Sequence, residues 1–332
     1  MEANWNVERK ETWVMKLMRV AVTGASGTIG QALIPRLLKD PRVDSVVAVV
    51  HDRELPADER CDVVQADVGS PDAVTVLSSA FKGCDAVVHL AWQTIATDDR
   101  ARQQQINVGG TANVVEAAEA AGVNQLVHLS SAAVYSPASS GEPVTEGWPT
   151  DGVDSSAYSQ DKVAVEAMLT AGTGSLRVGI VRPPMVVNPD TVPRVVGTML
   201  GRLTPVLRLT GGRVPLVPVP AGIRAQVVHA DDIAELVRLM LHRVSVGAFN
   251  VATDDVLGQV DVARLMGGIA LPVPTFVLRP VLSTLHRAGL VPVDTSWLDL
   301  LASCPVLDTT RARDELGWSP RFDAMMTARA SV

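Results

Sequence analysis

Tyrosine is nearly absent from this chain: two in 332 residues, within an aromatic content of only 4%. The three cysteines, Cys61, Cys84 and Cys304, lie far apart and form no C-x-x-C pair. That excludes a disulfide framework and a zinc-type metal site, and points to a reducing compartment. No basic tract occurs, and the net charge is −7. Sequence-independent binding to a phosphate backbone is excluded, so no nucleic-acid partner is expected. Nor is there a membrane partner. The most apolar late stretch, "LMGGIALPVPTFVLRPVLSTL", is broken by three prolines and Arg279, whereas a bilayer span needs about 20 uninterrupted apolar residues. Residues 1–14, "MEANWNVERKETWV", contain no apolar core of a signal peptide. They read as a flexible extension, with Met15 or Met18 starting the folded part, and a cytoplasmic protein is expected.

What is present is a repeating pattern. Short apolar runs recur at 19–24, 45–50, 62–67, 85–91, 125–131 and 177–183. They are continuous rather than alternating, as strands buried on both faces must be. Helical spacing fills the gaps, as in "IGQALIPRLLKD" and "VGGTANVVEAAEAAG". Alternating β and α elements predict an α/β fold: a Rossmann-type, doubly wound parallel sheet. Pro35 lies inside the first helix, where a kink is expected. After residue 183 the chain turns proline-rich, and helix and strand signals return near 225. The expected division is a dinucleotide-binding domain over 15–183 and 225–255, with a smaller, discontinuous substrate lobe over 184–224 and 256–332.

"VAVTGASGTIG" spaces Gly24, Gly27 and Gly30 as G-x-x-G-x-x-G between a strand and a helix. Gly24 permits a tight turn, Gly27 lets the backbone approach a pyrophosphate, and Gly30 allows close helix–sheet packing. Ser26, Thr28 and Ile29 complete this phosphate loop, whose helix N-terminus offers unpaired N–H groups. Ligands of open α/β sheets bind at the carboxyl ends of strands. That places Asp67 and Val68 at the adenine, and Leu90, Ala91 and Trp92 under the diphosphate and ribose; Trp92 reads equally as core filling.

One of the two tyrosines, Tyr158, stands four places before Lys162 in "SSAYSQDKVAVE". That spacing on a helix sets both side chains on one face. The pattern is weak alone, and a solvated helical face explains it as well.

Together with "DAVVHLAW", "INVGGTANVVEAA", "VHLSSAAVY", "VRPP", "VVHADDIA", "GAFNVAT" and "DTTRARDELGWSP", these motifs run nearly end to end in one order. The chain resembles the extended short-chain dehydrogenase/reductase family, which includes NAD-dependent sugar-nucleotide epimerases and dehydratases. The resemblance implies a catalytic trio of Ser131, Tyr158 and Lys162, with Asn107 and Pro183 beside the cofactor and Tyr135 as a structural partner. Ser130 is the adjacent alternative to Ser131. In this scheme Tyr158 exchanges the proton of a substrate hydroxyl while hydride passes to or from the nicotinamide. Ser131 bonds the same oxygen, and Lys162 holds the ribose and favours the phenolate.

The chain also departs from the family. Ala132 and Ala133 stand where dehydratases carry an acid pair, which speaks against dehydration. Met185 replaces an asparagine that touches the diphosphate of sugar nucleotides. In 186–224 the only cations are Arg194, Arg202, Arg208, Arg213 and Arg224. A less polar small-molecule substrate is expected, handled by an NAD(P)-dependent oxidoreductase. A cofactor-retaining epimerase and a non-catalytic regulator are the alternatives. The second strand ends at Val50 without an acid, followed by His51, Asp52 and Arg53. An acid there would exclude a 2′-phosphate and an arginine would accept one, so NADP is expected to bind at least as well as NAD. Alanine- and valine-rich faces at 101–121 and 157–171 lead to the expectation of a homodimer.

Overall fold

A computed structural model describes residues 17–53, 55–94, 99–138, 141–188, 197, 201–204, 216–265 and 268–324. The expected extension at 1–14 and the cations Arg194, Arg208 and Arg213 lie outside them.

The strands are β1 (Met18–Thr23), β2 (Val43–Val50), β3 (Cys61–Gln65), β4 (Ala86–His89), β5 (Gln125–Leu129), β6 (Arg177–Arg182), β7 (Met185–Val187), β8 (Leu216–Pro220), β9 (Val227–His229), β10 (Gly247–Asn250) and β11 (Ile269–Val273). Seven form one sheet in the order β10-β6-β5-β4-β1-β2-β3. Every pairing in it is parallel. Small two-stranded sheets, β8 with β11 and β7 with β9, follow in the C-terminal half.

The continuous apolar runs have a direct structural cause. Successive side chains of a strand point to opposite faces, and here both faces are covered. Val20 and Val22 join a core with Leu33 and Leu37 of helix α1 (Thr28–Lys39) and with Ile233, Leu236 and Val237 farther along the chain. Ala21, between them, joins the opposite core with Leu77, Val114, Val165 and Leu169. The helices on that second face are α2 (Ala73–Ala80), α4 (Gly110–Ala120) and α5 (Ala157–Ala171), with α3 (Arg100–Gln104) preceding α4 in the chain. Helix α6 (Ala230–Arg243) packs on the first face beside α1. Helix α1 runs through Pro35 and ends at Lys39. The remaining helices are α7 (Gln259–Leu265), α8 (Thr275–Arg287), α9 (Thr295–Ser303) and α10 (Thr310–Leu316).

Two polar knots tie distant segments to the sheet. Arg182 and Glu166, both buried, pair at 2.5 Å. Arg182 also donates to the hydroxyl of Tyr135, which donates to Asn250 Oδ1 at 2.6 Å. The expected structural role of Tyr135 is met in this way. Trp318, from the "GWSP" motif, is buried against the first face and donates its indole N–H to the carbonyl of Asp232 at 2.8 Å. Among the described residues no helix is long and apolar enough to cross a membrane.

Candidate active site

Strand order reverses between β1 and β4, and at such a switch point the carboxyl ends of the strands form the crevice in which ligands of open α/β sheets bind. Gly24 follows β1 with φ +68°, and a Cβ there would lie 2.6 Å from the backbone nitrogen of Ala91. A Cβ on Gly30 would lie 2.3 Å from the carbonyl oxygen of Ala25. Both glycines are therefore demanded by the fold itself. Gly27 differs: its hypothetical Cβ meets only the Gly24 oxygen, at 3.2 Å. Gly27 is exposed and caps α1 without any side-chain hydrogen bond. Ser26 and Thr28 flank it half-buried, while Ile29 turns into the core. The first N–H groups of α1 thus face outward from a turn with room before it, which suits a phosphate.

At the far end of this crevice, Asp67 accepts from the Gly69 N–H at 2.8 Å and pairs with Arg102. Val68 is buried against Gly110. A cavity of about 280 Å³ beside them is lined by His51, Gln65, Ala66, Asp67, Ser70, Asp72 and Val76. His51 and Asp52 are mostly exposed and 3.9 Å apart, and Arg53 is also exposed.

At the near end, α5 positions Tyr158 and Lys162. Ser156 caps this helix, accepting from the Ser159 N–H at 3.3 Å. Ser131 follows β5 and caps a 3-10 turn over Ala132–Val134, accepting from the Ala133 N–H at 3.1 Å. The Ser131 hydroxyl faces the Tyr158 phenol closely enough to favour its ionised form. Burial pushes the Tyr158 phenol above its ordinary range, and Ser131 works the other way. Lys162 is buried; its ammonium donates to the Leu129 carbonyl at 2.7 Å and lies 3.4 Å from the centroid of the Trp92 ring. Burial pulls its pKa well down, against the opposing fields of Glu166 and Asp161. The lysine is turned to a carbonyl and an aromatic face, and burial of the phenol prevails.

Leu90, Ala91 and Trp92 follow β4 half-buried, between the phosphate turn and α5. Pro183 is buried and accepts from the Ala132 N–H at 2.7 Å, closing the wall beside the Ser131 turn. Asn107 sits in a π-helical turn, Gln105–Gly109, that joins α3 to α4. Its side-chain oxygen accepts from the Gln93 N–H at 2.9 Å, and its nitrogen reaches Asp161 at 3.4 Å. Arg100 grips both oxygens of Asp161, at 2.7 and 2.5 Å. Asn107 is fully buried and anchors the loop after β4 to α5.

Sequence reasoning passed over several groups. His89 and His128 are partners in the register of β4 and β5, with ring centroids 5.3 Å apart, buried behind Lys162. Burial takes His89 down to about 3, and His128 well below its ordinary value. Trp297 of α9 packs on Tyr158, ring centroids 5.7 Å apart, and Trp92 meets the same ring edge-on at 6.2 Å. Asp161 was visible inside "YSQDK", but only the fold reveals its partner Arg100. Nothing in the sequence signalled Trp297.

The indole nitrogen of Trp92 and the hydroxyl of Ser130 are buried with no hydrogen-bond partner. Orphaned donors of this kind beside Lys162, together with the open turn at Gly27, fit a dinucleotide lying from the α1 N-terminus to Tyr158. Among the described residues, no cluster of His, Cys, Asp or Glu is able to hold a metal ion.

A family model described as "NAD dependent epimerase/dehydratase family" matches residues 20–252. An uncharacterised protein of Mycobacterium tuberculosis is 30% identical over 310 residues, which cover 92% of this chain but only 29% of that relative. The chain thus spans less than a third of the length of that longer relative. A UDP-glucose 4-epimerase of Mycolicibacterium smegmatis is 28% identical over 321 residues, covering 92% of this chain and 94% of that one. Among solved structures, a UDP-glucose 4-epimerase of Thermus thermophilus in complex with NAD superposes with a TM-score of 0.71 at 22% identity, covering 95% of this chain and 97% of its own. The Bordetella bronchiseptica enzyme WbmG in complex with NAD gives 0.68 at 21%, covering 98% and 94%. These two likenesses are of fold.

Proposed function

From its membership of the NAD dependent epimerase/dehydratase family, we propose that this chain catalyses reversible hydride transfer at a secondary alcohol carbon of a small-molecule substrate. The reading rests on one observation above the others: Tyr158 and Lys162 stand one helical turn apart on α5, and the phenol faces Ser131 just beyond β5. A bound nicotinamide cofactor supplies the hydride acceptor or donor. Tyr158 takes or returns the hydroxyl proton, Ser131 bonds the same oxygen, and Lys162 holds the nicotinamide ribose. The turn from Gly24 to Gly30 holds the phosphates, and Asp67 and Val68 border the adenine.

Of the two modes open to this machinery, a cofactor-retaining epimerase acting on a sugar nucleotide has the support of the relative that matches along nearly its whole length. Net oxidation or reduction of a less polar alcohol or ketone has the support of the apolar collar around Tyr158 and of Met185, which is 48% exposed where diphosphate binders carry asparagine. A regulator without turnover has no need of the Tyr158–Lys162 pair. Incubation with UDP-glucose and NAD parts these readings. UDP-galactose without accumulating NADH supports the epimerase, and steady consumption of NAD(P)H with a carbonyl substrate supports the reductase. Absence of both across a substrate panel, with cofactor bound, leaves only the regulator.

The finer readings follow the same frame. NADP is bound at least as well as NAD, with Arg53 and His51 near the 2′-phosphate; His51 borders the cavity beside Asp67. NADH binding far more tightly than NADPH overturns this and points to Asp52. A homodimer forms through the helical segments 101–121 and 157–171, the second of which leaves Ala164 and Ala167 exposed. Light scattering near the single-chain mass of 35.1 kDa rules it out. The free cysteines accord with a cytoplasmic setting.

A further inference from the structure

The surroundings of the Tyr158 ring narrow the kind of molecule that reaches its hydroxyl. Ala133, Val153, Leu300 and Trp297 pack with Tyr158 in one apolar cluster. Trp92 closes another side edge-on. Cys304, whose field reaches the phenol, is a thiol that burial pushes up to about 12, so it adds no charge. Lys162, the cation of the site, already has a carbonyl and an aromatic face as partners.

Trp297 is held in place from two directions. Asp299, two residues on in α9, accepts from Ser155 Oγ at 2.8 Å, just ahead of the catalytic helix, and pairs with Arg279 of α8. The indole is half-buried and its ring is tilted 31° to the phenol at a 5.7 Å centroid separation. A half-buried tryptophan packed beside the ring of Tyr158 favours a flat partner. A ring lined by C–H groups, or an aromatic ring, gains area and quadrupole contact there, whereas an open chain gains neither.

We propose that Trp297 determines specificity: it selects a secondary alcohol borne on a ring whose flat, C–H-lined face stacks on the indole while the hydroxyl meets Tyr158 and Ser131. The assignment rests on the hydride-transfer reading above. Two sources of that chemistry exist, the hexose of a sugar nucleotide and a hydrocarbon ring.

The test uses the full chain grown with 5-fluorotryptophan and loaded with NAD. Fluorine NMR then reports six tryptophans, and loss of one line in Trp297→Phe assigns Trp297. UDP-glucose, cyclohexanol and open-chain sec-butanol are the probes. The Trp297 line shifts with UDP-glucose or with cyclohexanol, identifying the source, and stays put with sec-butanol. Trp297→Leu, which keeps apolar bulk without a ring, weakens binding of the active probe by at least ~10-fold, with NAD affinity unchanged. The inference is overturned if neither ring probe moves the line, if sec-butanol moves it equally, or if Trp297→Leu binds like the wild type. A shifted line with neither epimer nor NADH formed sinks the hydride reading instead and leaves the stacking intact.

Discussion

The ammonium of Lys162 stands 3.4 Å from the centre of the Trp92 ring, behind the tyrosine that shares its helix. A desolvated cation on an indole face is worth about 2 kcal/mol. Trp92, packed against the core of the second sheet face, is therefore a partner of the lysine as well.

This arrangement separates the roles on α5. Tyr158→Phe removes one hydroxyl and leaves the ring between Trp92 and Trp297. Cofactor affinity stays near normal, and turnover on a true substrate falls by at least ~100-fold, as for loss of a positioned acid/base. Lys162→Ala lowers both. Steady-state kinetics with parallel cofactor titration checks the split; a Tyr158→Phe variant retaining more than about a tenth of the activity shows that another group carries the proton.

The glycine turn divides in a similar way. Gly24→Ala meets a φ of +68° and the Ala91 nitrogen at 2.6 Å, so the variant fails to fold or is severely destabilised. Gly27→Ala keeps the fold, because its Cβ meets only one oxygen at 3.2 Å, yet it fills the space before the α1 N-terminus. Thermal melts without cofactor, followed by NAD titration, should give a near-native melt and affinity reduced by ~10-fold or more. Unchanged affinity in Gly27→Ala would place the phosphates elsewhere.

His89 and His128 make stability depend on acid. Both are held below their ordinary values by burial, His89 at about 3. Their contribution is complete above the unfolded value of about 6.5 and drains away as pH falls toward the folded one, because the unfolded chain takes up protons that the native chain refuses. Each histidine costs about 1.4 kcal/mol per pH unit in that window. Urea unfolding at pH 7 and pH 5 should show His128→Phe losing about 2 kcal/mol less than the wild type over this interval. Equal losses mean that His128 is charged in the native protein.

The buried pair of Glu166 and Arg182 governs a different quantity. Arg182 is 6% and Glu166 4% exposed, so Glu166→Ala strands a guanidinium and costs about 3–5 kcal/mol. The exposed pair Arg19–Asp62, at 2.8 Å, is worth at most about 1 kcal/mol when broken. Urea midpoints for Glu166→Ala and Asp62→Ala check the contrast. A loss below about 1 kcal/mol in the first variant means that water reaches the pair.

Local chemistry made much of this protein legible without coordinates. Strands buried on both faces must read as unbroken apolar runs, so the run from Arg19 to Gly24 announced a parallel sheet. A turn that leaves no room for Cβ must be written in glycine, so Gly24 and Gly30 stood out. Tyr158 and Lys162 share a helix, and a four-residue spacing suffices to align them. Tertiary structure alone decided the rest. Trp297 reaches Tyr158 only because α9 is pinned by Asp299 to Ser155 and Arg279, contacts that no spacing encodes. The direction of the Lys162 ammonium was likewise settled by the Leu129 carbonyl and the Trp92 face, which come from different strand ends. Periodicity reports which face of an element is buried, but which distant groups meet there depends on how the elements pack.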